Sequence, residues 1–137
     1  MLARKIRHQL IRLASWYKIN FYRFMGITIG KNCYISVHAN IDTRRGEIII
    51  GNNVEISSGS YILGHTGYRA LKEGQKTILE DNVKVFVNAV VYPGVKVGAN
   101  SVVGAGAVVM KDVPSDVVVL GNPARVVQHL TESDQFK

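Results

Sequence analysis

Hydrophobic positions recur every six residues along most of the chain. From residue 79 the sequence divides into six hexads that read LEDNVK, VFVNAV, VYPGVK, VGANSV, VGAGAV and VMKDVP. Position one is Leu or Val in each hexad, and position five is small or branched. Two earlier blocks, 29–46 and 50–67, carry Ile at position one of every hexad. Because positions five and one are two residues apart, both point to one side of an extended chain. The pattern therefore predicts short strands that fill a narrow core.

A longer period is superimposed on the hexads. Every third hexad has asparagine at position four, namely Asn32, Asn53, Asn82 and Asn100. Asparagine tolerates left-handed backbone and bonds its own backbone, so it suits a tight corner. Three hexads then make one turn, and the pattern predicts a mainly β fold: a parallel β-solenoid of about four to five turns.

The outward position on one face of this solenoid forms a column across successive turns. Its members are Asn40, Tyr61, Val90 and Val108, of which the last three are apolar. Either the N-terminal helix or the C-terminal tail of the chain covers this column, or the column is a subunit interface, since contiguous exposed apolar patches mark contact sites.

Residues 2–25 contain neither glycine nor proline and predict an α-helix. Apolar side chains recur at steps of three and four residues, at Leu2, Ile6, Leu10, Leu13, Tyr17, Phe21 and Phe24. The chain thus divides into a helix (1–26), a β-solenoid (27–130) and a polar tail (131–137). The helix either caps the end of the solenoid or lies as a peripheral element on an anionic membrane.

The net charge of +7 is concentrated in the helix. Residues 1–25 contain six basic and no acidic residues, and the remainder carries 11 basic and 10 acidic ones. Such a distribution does not favour a nucleic-acid-binding domain. One cysteine excludes a disulfide within the chain, and no apolar run approaches the ~20 residues of a membrane span. We expect a cytoplasmic protein, at the inner face of the membrane if the helix binds lipid.

The repeat breaks at Gly64-His65 and resumes at residue 79, which predicts a loop over 66–78. Long loops in compact folds are commonly functional. A neutral imidazole at the edge of such a loop can accept a proton from a hydroxyl group. On the residues alone, His65 is either this base or an ordinary corner residue.

The C-terminal half resembles a known family. The segment "VVYPGVKVGANSVVGAGAVVMKDVPSDVVVLGNPARVV" (90–127) resembles the hexapeptide-repeat acyltransferases, in the branch of sugar and polysaccharide O-acetyltransferases. "FMGITIGKNCYI" (24–35) is similar to the start of the repeat in polysaccharide acetyltransferases. The resemblance implies a left-handed parallel β-helix, a homotrimer, acetyl-CoA as donor, no metal, and an acceptor hydroxyl or amine on a sugar or polysaccharide precursor.

The resemblance also implies roles for individual residues. It makes His65 the general base and the amide of Val87 the donor to the oxyanion. The predicted donor-binding residues are Ala105 and Gly106 beside the pantetheine arm, with Lys111 and Arg125 near the CoA phosphates. From its position in the first turn, His38 is either an ordinary corner residue or part of the acceptor site, with Asn40 and Asp42 nearby. Lys84 is the fourth predicted acceptor-site residue.

Some positions depart from the family pattern. Lys84 replaces the usual tryptophan, Met110 replaces a threonine, and Phe86 replaces a small residue, so its ring could narrow the donor tunnel. Two alternatives therefore stay open: a catalytically inactive trimeric scaffold, and acetylation of a non-sugar small molecule. A zinc enzyme of this fold is disfavoured because only two histidines, His38 and His65, fall within the repeat.

Overall fold

The computed structural model describes residues 1–65, 67 and 74–134, which form one helix followed by fourteen strands. The helix α1 spans Leu2–Phe24. The strands are β1 (Thr28–Ile29), β2 (Tyr34–Ile35), β3 (Asn40–Ile41), β4 (Glu47–Ile50), β5 (Glu55–Ile56), β6 (Tyr61–Ile62), β7 (Lys76–Leu79), β8 (Lys84–Val85), β9 (Val90–Val91), β10 (Lys96–Val97), β11 (Val102–Val103), β12 (Val108–Val109), β13 (Val117–Leu120) and β14 (Arg125–His129).

From β1 to β12, successive strands belong to sheets A, B and C in turn, and β13 and β14 both join sheet B. Sheet A has the order β1-β4-β7-β10, sheet B the order β14-β13-β11-β8-β5-β2, and sheet C the order β12-β9-β6-β3. All pairings are parallel except that of β13 with β14. We call the three sheets the body. This arrangement of parallel sheets after one N-terminal helix is consistent with a left-handed β-helix.

The body is filled by the residues that the hexad pattern directs inward. The position-one residues from Ile29 to Val109 are all buried, and so are most residues at position five, such as Val54 and Ala107. Each Val, Leu or Ile side chain among them contributes roughly 1.5–3 kcal/mol when fully buried. The predicted inward positions are therefore confirmed.

The asparagine corner is also confirmed. Asn32, Asn53, Asn82 and Asn100 all have positive φ, between 54° and 61°. The side chains of the last three bond in series: Asn53 Nδ2 donates to Asn82 Oδ1 at 3.1 Å, and Asn82 Nδ2 donates to Asn100 Oδ1 at 2.8 Å. Asn100 Nδ2 then donates to Asp116 at 2.9 Å. The amides tie neighbouring turns together at the corner between sheets A and B.

Helix α1 caps the first turn of the body through Ser15, Ile19 and Tyr22, its buried residues. Ser15 Oγ accepts a hydrogen bond from the Ile35 amide at 2.9 Å, and Tyr22 Oη accepts one from the Ile41 amide at 3.1 Å. The helix thereby satisfies backbone donors at the open edges of β2 and β3, as an exposed sheet edge requires.

In the outward column of sheet C, the side chain of Tyr61 is exposed, so the described part of the chain does not cover the column there.

Of the predicted loop 66–78, residues 66 and 68–73 lie outside the described residues. Its C-terminal end is corrected, because residues 76–78 belong to β7 and pair with β4. None of the described residues forms a helix with the length and apolar character that a membrane crossing requires.

Candidate functional site

The break in the repeat lies beside the first corner between sheets C and A. β3 and β6 are neighbours in sheet C, so the residues that follow them, Asp42 and His65, emerge side by side. Gly64 is buried between these segments, and a Cβ at position 64 would collide with the carbonyl oxygen of Arg45. Only glycine allows the two segments to approach this closely.

His65 and Asp42 form a hydrogen-bonded pair, with His65 Nδ1 bound to Asp42 Oδ2. The Asp42 side chain is only 3 % exposed, whereas that of His65 is 23 % exposed. The other carboxylate oxygen, Oδ1, accepts hydrogen bonds from the backbone amide and the Nε of Arg44, both at 3.1 Å. The carboxylate is therefore enclosed, and the imidazole reaches the surface.

Hydrogen bonding keeps Asp42 ionised. Burial by itself raises the pKa of this carboxyl, but the hydrogen bonds from the Arg44 amide, the Arg44 side chain and His65 outweigh burial and lower the pKa to about 2. An ionised carboxylate can only accept a hydrogen bond, so Nδ1 of His65 must be the donor. The proton of the neutral imidazole therefore lies on Nδ1. Nε2, to which no described residue bonds, is then the atom that can accept a proton.

A buried threonine fixes the backbone that leads to His65. Thr77 Oγ1 donates to the Leu63 carbonyl at 2.8 Å and accepts from the Gly94 amide at 2.9 Å. Its side chain is fully buried. The chain two residues before His65 is therefore held from the adjacent turn, which limits movement of the imidazole.

Val87 lies at the opposite end of the strands of sheet C, in the corner between β8 of sheet B and β9 of sheet C. Its carbonyl accepts a hydrogen bond from the Gly106 amide at 2.9 Å. Its own N–H donates to no described residue, and the residue is 46 % exposed. Ala105 and Gly106 are exposed on the next turn, with Gly106 at φ +68°. An amide donor free of partners thus lies beside two small residues.

The two predicted phosphate-binding residues are close together. Lys111 and Arg125 line one cavity of about 300 Å³, with Val109 and Ala124 in its wall. Arg125 reaches it because β14 folds back antiparallel on β13. Asp112 also lines the cavity, so the two cations leave it with a net positive charge, which suits an anionic group such as phosphate.

The predicted acceptor residues are spread over the body. His38 is exposed at the corner between sheets B and C, and Asn40 faces outward from β3. Lys84 lies on sheet B, where its Nζ is 3.9 Å from Oε2 of Glu55. Asp42 alone among these four is bonded to His65, and its enclosed carboxylate suits orienting that ring rather than touching an acceptor.

Phe86 lies on the sheet B side of the molecule. With Lys84 and Tyr34 it lines a groove of about 550 Å³, and the lining of the Lys111–Arg125 cavity does not include it. Within the described ranges, no group of three or more potential ligands is arranged to hold a metal ion.

The sequence reasoning missed the pairing of Asp42 with His65 and the part played by Arg44. A local signal was present in Asp42-Thr43-Arg44, because an aspartate often bonds the backbone two residues on. The pairing across 23 residues had no local signal, since it depends on the register of β3 against β6.

His65 and Val87 cannot meet within one chain. They lie at opposite ends of the strands of sheet C, because His65 follows β6 and Val87 precedes β9, and about five residues of extended chain separate the two ends. At ~3.3 Å per residue this is roughly 15 Å, whereas a base and an oxyanion donor must each lie about 3 Å from the reacting atoms.

The comparisons with known proteins agree with the repeat. Residues 76–111 match the family described as bacterial transferase hexapeptide (six repeats). The galactoside O-acetyltransferase of Escherichia coli is 31 % identical over 121 residues, 85 % of this chain and 54 % of the relative. A 2,3,4,5-tetrahydropyridine-2,6-dicarboxylate N-acetyltransferase of Clostridium perfringens is 41 % identical over 61 % of this chain and 34 % of its own length.

The fold of a solved structure is similar to that of this chain over most of its length. The hexapeptide-repeat-containing acetyltransferase from Vibrio cholerae aligns with a TM-score of 0.68 and 31 % identity, covering 77 % of this chain and 64 % of that one. The chain spans 34–58 % of the length of the curated relatives with which it was compared.

Proposed function

Because the chain belongs to the hexapeptide-repeat acyltransferase family, we propose that it transfers an acetyl group from acetyl-CoA to a hydroxyl group of a sugar or polysaccharide precursor. The observation that carries this proposal is the Asp42–His65 pair at the break in the repeat. Relatives named as galactoside O-acetyltransferases support a sugar acceptor, and the N-acetyltransferase relative keeps an amine acceptor open.

The proposed reaction is a direct transfer. Nε2 of His65 takes the proton of the acceptor hydroxyl as its oxygen attacks the thioester carbon. The Val87 N–H donates to the oxyanion of the tetrahedral intermediate. The C–S bond then breaks, and the proton passes from His65 to the departing CoA sulfur. Asp42 holds the ring and stabilises the imidazolium in between.

We propose that the site is completed by a second copy of the chain in a homotrimer. The separation of His65 from Val87 supports this arrangement, because a neighbouring copy can bring its Val87 corner to the His65 of the first. The exposed Tyr61 on sheet C, which lies between the two corners, suits such a contact. We also propose that the body of each copy is a left-handed coil of about four to five turns.

The donor is proposed to extend along the Val87 corner towards the Lys111–Arg125 cavity. Ala105 and Gly106 leave room for the pantetheine arm, and the two cations bind phosphates. His38, Asn40 and Lys84 are proposed to contact the acceptor, with Lys84 placed by a neighbouring copy.

The proposal is tested by measuring CoA release from acetyl-CoA with galactosides, glucosides and oligosaccharides as acceptors. We expect turnover by the wild type, and a loss of at least ~10²-fold for His65→Ala with unchanged acetyl-CoA affinity. The fold should be retained at a lower melting temperature, because Asp42 loses one of its hydrogen-bond partners. His8→Ala, at an exposed position of α1, is the matched histidine control. Full turnover by His65→Ala contradicts the proposal.

The inactive-scaffold alternative rests on Phe86. Calorimetric titration of acetyl-CoA into the wild type and Phe86→Ala separates the two functions. Binding of acetyl-CoA by the wild type supports the acetyltransferase function. Absence of binding by the wild type, with binding by Phe86→Ala, favours the scaffold. Turnover with small amines or amino acids but with no sugar favours the non-sugar acceptor.

A further inference from the structure

Helix α1 turns most of its apolar side chains away from the body. Seven exposed residues form what we call the outer stripe: Leu2, Ile6, Leu10, Leu13, Tyr17, Phe21 and Phe24. At 3.6 residues per turn they fall within a sector of roughly 100°. The packed residues Ser15, Ile19 and Tyr22 lie on the opposite side of the helix. Capping of the body therefore leaves the outer stripe without a partner in the described chain.

The helix is strongly basic, with six Lys and Arg and no acid in residues 1–25. Two of the cations attach the helix to the body: Lys18 Nζ donates to the Val37 carbonyl at 2.6 Å, and Arg23 donates to the Gly30 carbonyl at 2.7 Å. The side chains of the other four cations, Arg4, Lys5, Arg7 and Arg12, form no hydrogen bond or ion pair with the described residues.

Three of these cations border the outer stripe, whereas Arg4 falls on the side of the helix that packs on the body. On a helical projection Arg7 falls on one side of the stripe, and Lys5 and Arg12 fall on the other. An apolar stripe between basic borders is the arrangement of a helix that lies in the plane of a membrane interface.

We propose that α1 binds the surface of an anionic membrane, with the outer stripe at the boundary between headgroups and acyl chains. Charge complementarity selects this occupant, because anionic lipids neutralise the free cations. A second copy of the helix is disfavoured, since it would bring another six cations and no acid to the contact. The proposal is independent of acetyl transfer.

Trp16 allows a direct test because it is the one tryptophan of the chain, is 60 % exposed, and lies at the border of the outer stripe. We would titrate the full chain with vesicles of phosphatidylcholine and phosphatidylglycerol, and with vesicles of phosphatidylcholine alone. The anionic vesicles should shift the Trp16 emission to the blue and carry the protein down on centrifugation, and high salt should weaken both effects. Phosphatidylcholine alone should give neither effect.

Two pairs of variants separate the apolar and the charged contributions. Leu10→Ser/Leu13→Ser should weaken binding to anionic vesicles by about tenfold or more, while Val127→Ser, at an exposed apolar position of β14, leaves it unchanged. Arg7→Gln/Arg12→Gln should weaken binding about 25-fold, at about fivefold per cation.

The charge control is Lys31→Gln/Lys76→Gln, which removes two cations from the body and should have little effect. Thermal unfolding of each variant checks that the helix still packs through Ile19 and Tyr22. Absence of an emission shift and of co-sedimentation with anionic vesicles overturns the proposal. A second outcome also overturns the proposal: the wild type does not bind vesicles, and Leu10→Ser/Leu13→Ser forms an oligomer of smaller mass than the wild type does. That outcome would assign the outer stripe to contact between copies of the chain.

Discussion

Replacement of Asp42 by asparagine removes the charge behind His65 while it preserves the shape of the side chain. An asparagine can offer an N–H to Nδ1, and the imidazole proton then moves to Nε2, where the acceptor hydroxyl needs a lone pair. General-base catalysis is worth ~10²–10⁴-fold. We therefore expect kcat/KM to fall by about 10²-fold or more, with acetyl-CoA affinity unchanged because Asp42 is enclosed.

The same substitution has a measurable effect on stability. The pKa of Asp42 is lowered from 3.8 to about 2 in the folded protein, and this difference corresponds to about 2 kcal/mol of folding free energy. Because the folded-state pKa is the lower one, this stabilisation is present above pH ~4 and is lost as the pH falls towards ~2. Asp42→Asn should be less stable at neutral pH and should lack this segment of the acid dependence.

Urea unfolding of both proteins between acidic and neutral pH, with CoA release measured on the same samples, supplies the assay. Asp42→Ala, which removes the contact altogether, serves as a second variant. An Asp42→Asn protein that loses stability but keeps full kcat/KM would refute the reasoning and reduce Asp42 to a structural role.

Three other predictions concern the surroundings of His65 and the donor. Gly64→Ala should cost about 1–3 kcal/mol in thermal or urea unfolding and lower kcat, because its Cβ collides with the Arg45 carbonyl; unaltered stability would contradict the close packing. Val87→Pro removes an N–H that has no partner in the described chain, so kcat should fall ~10²–10³-fold with little change in melting temperature, whereas Val87→Ala should retain activity. Lys111→Met and Arg125→Met should each weaken acetyl-CoA binding several-fold in calorimetry and weaken acetyl-pantetheine binding little, since acetyl-pantetheine carries no phosphate group; equal losses for both ligands would exclude phosphate contacts.

The sequence was a good guide where local patterning and the final structure agree. Ile35 and Val85 are buried as the hexad period predicts, and Asn32 takes the left-handed backbone expected of a corner. These features depend on one residue and its near neighbours, so they can be read from the sequence. The early start of β7 escaped prediction because Lys76–Ile78 pair with β4, a partner 29 residues away.

The site was less accessible to sequence reasoning for the same physical reason. His65 stands out because a regular pattern stops there, but its bond to Asp42 depends on strand register and on the close approach that Gly64 permits. The orientation of α1 was equally hidden. Its apolar period predicts a helix, yet packing through Ser15 and Tyr22 decides which face meets the body.

A mixed-subunit measurement tests most directly the claim that His65 of one copy and Val87 of another act on the same thioester. His65→Ala and Val87→Pro would be unfolded together in equal amounts, refolded as mixed trimers and assayed for CoA release. If each site draws one residue from each of two neighbours, a random mixture should recover about a quarter of wild-type activity. Activity that stays at the level of the separate variants would contradict the account.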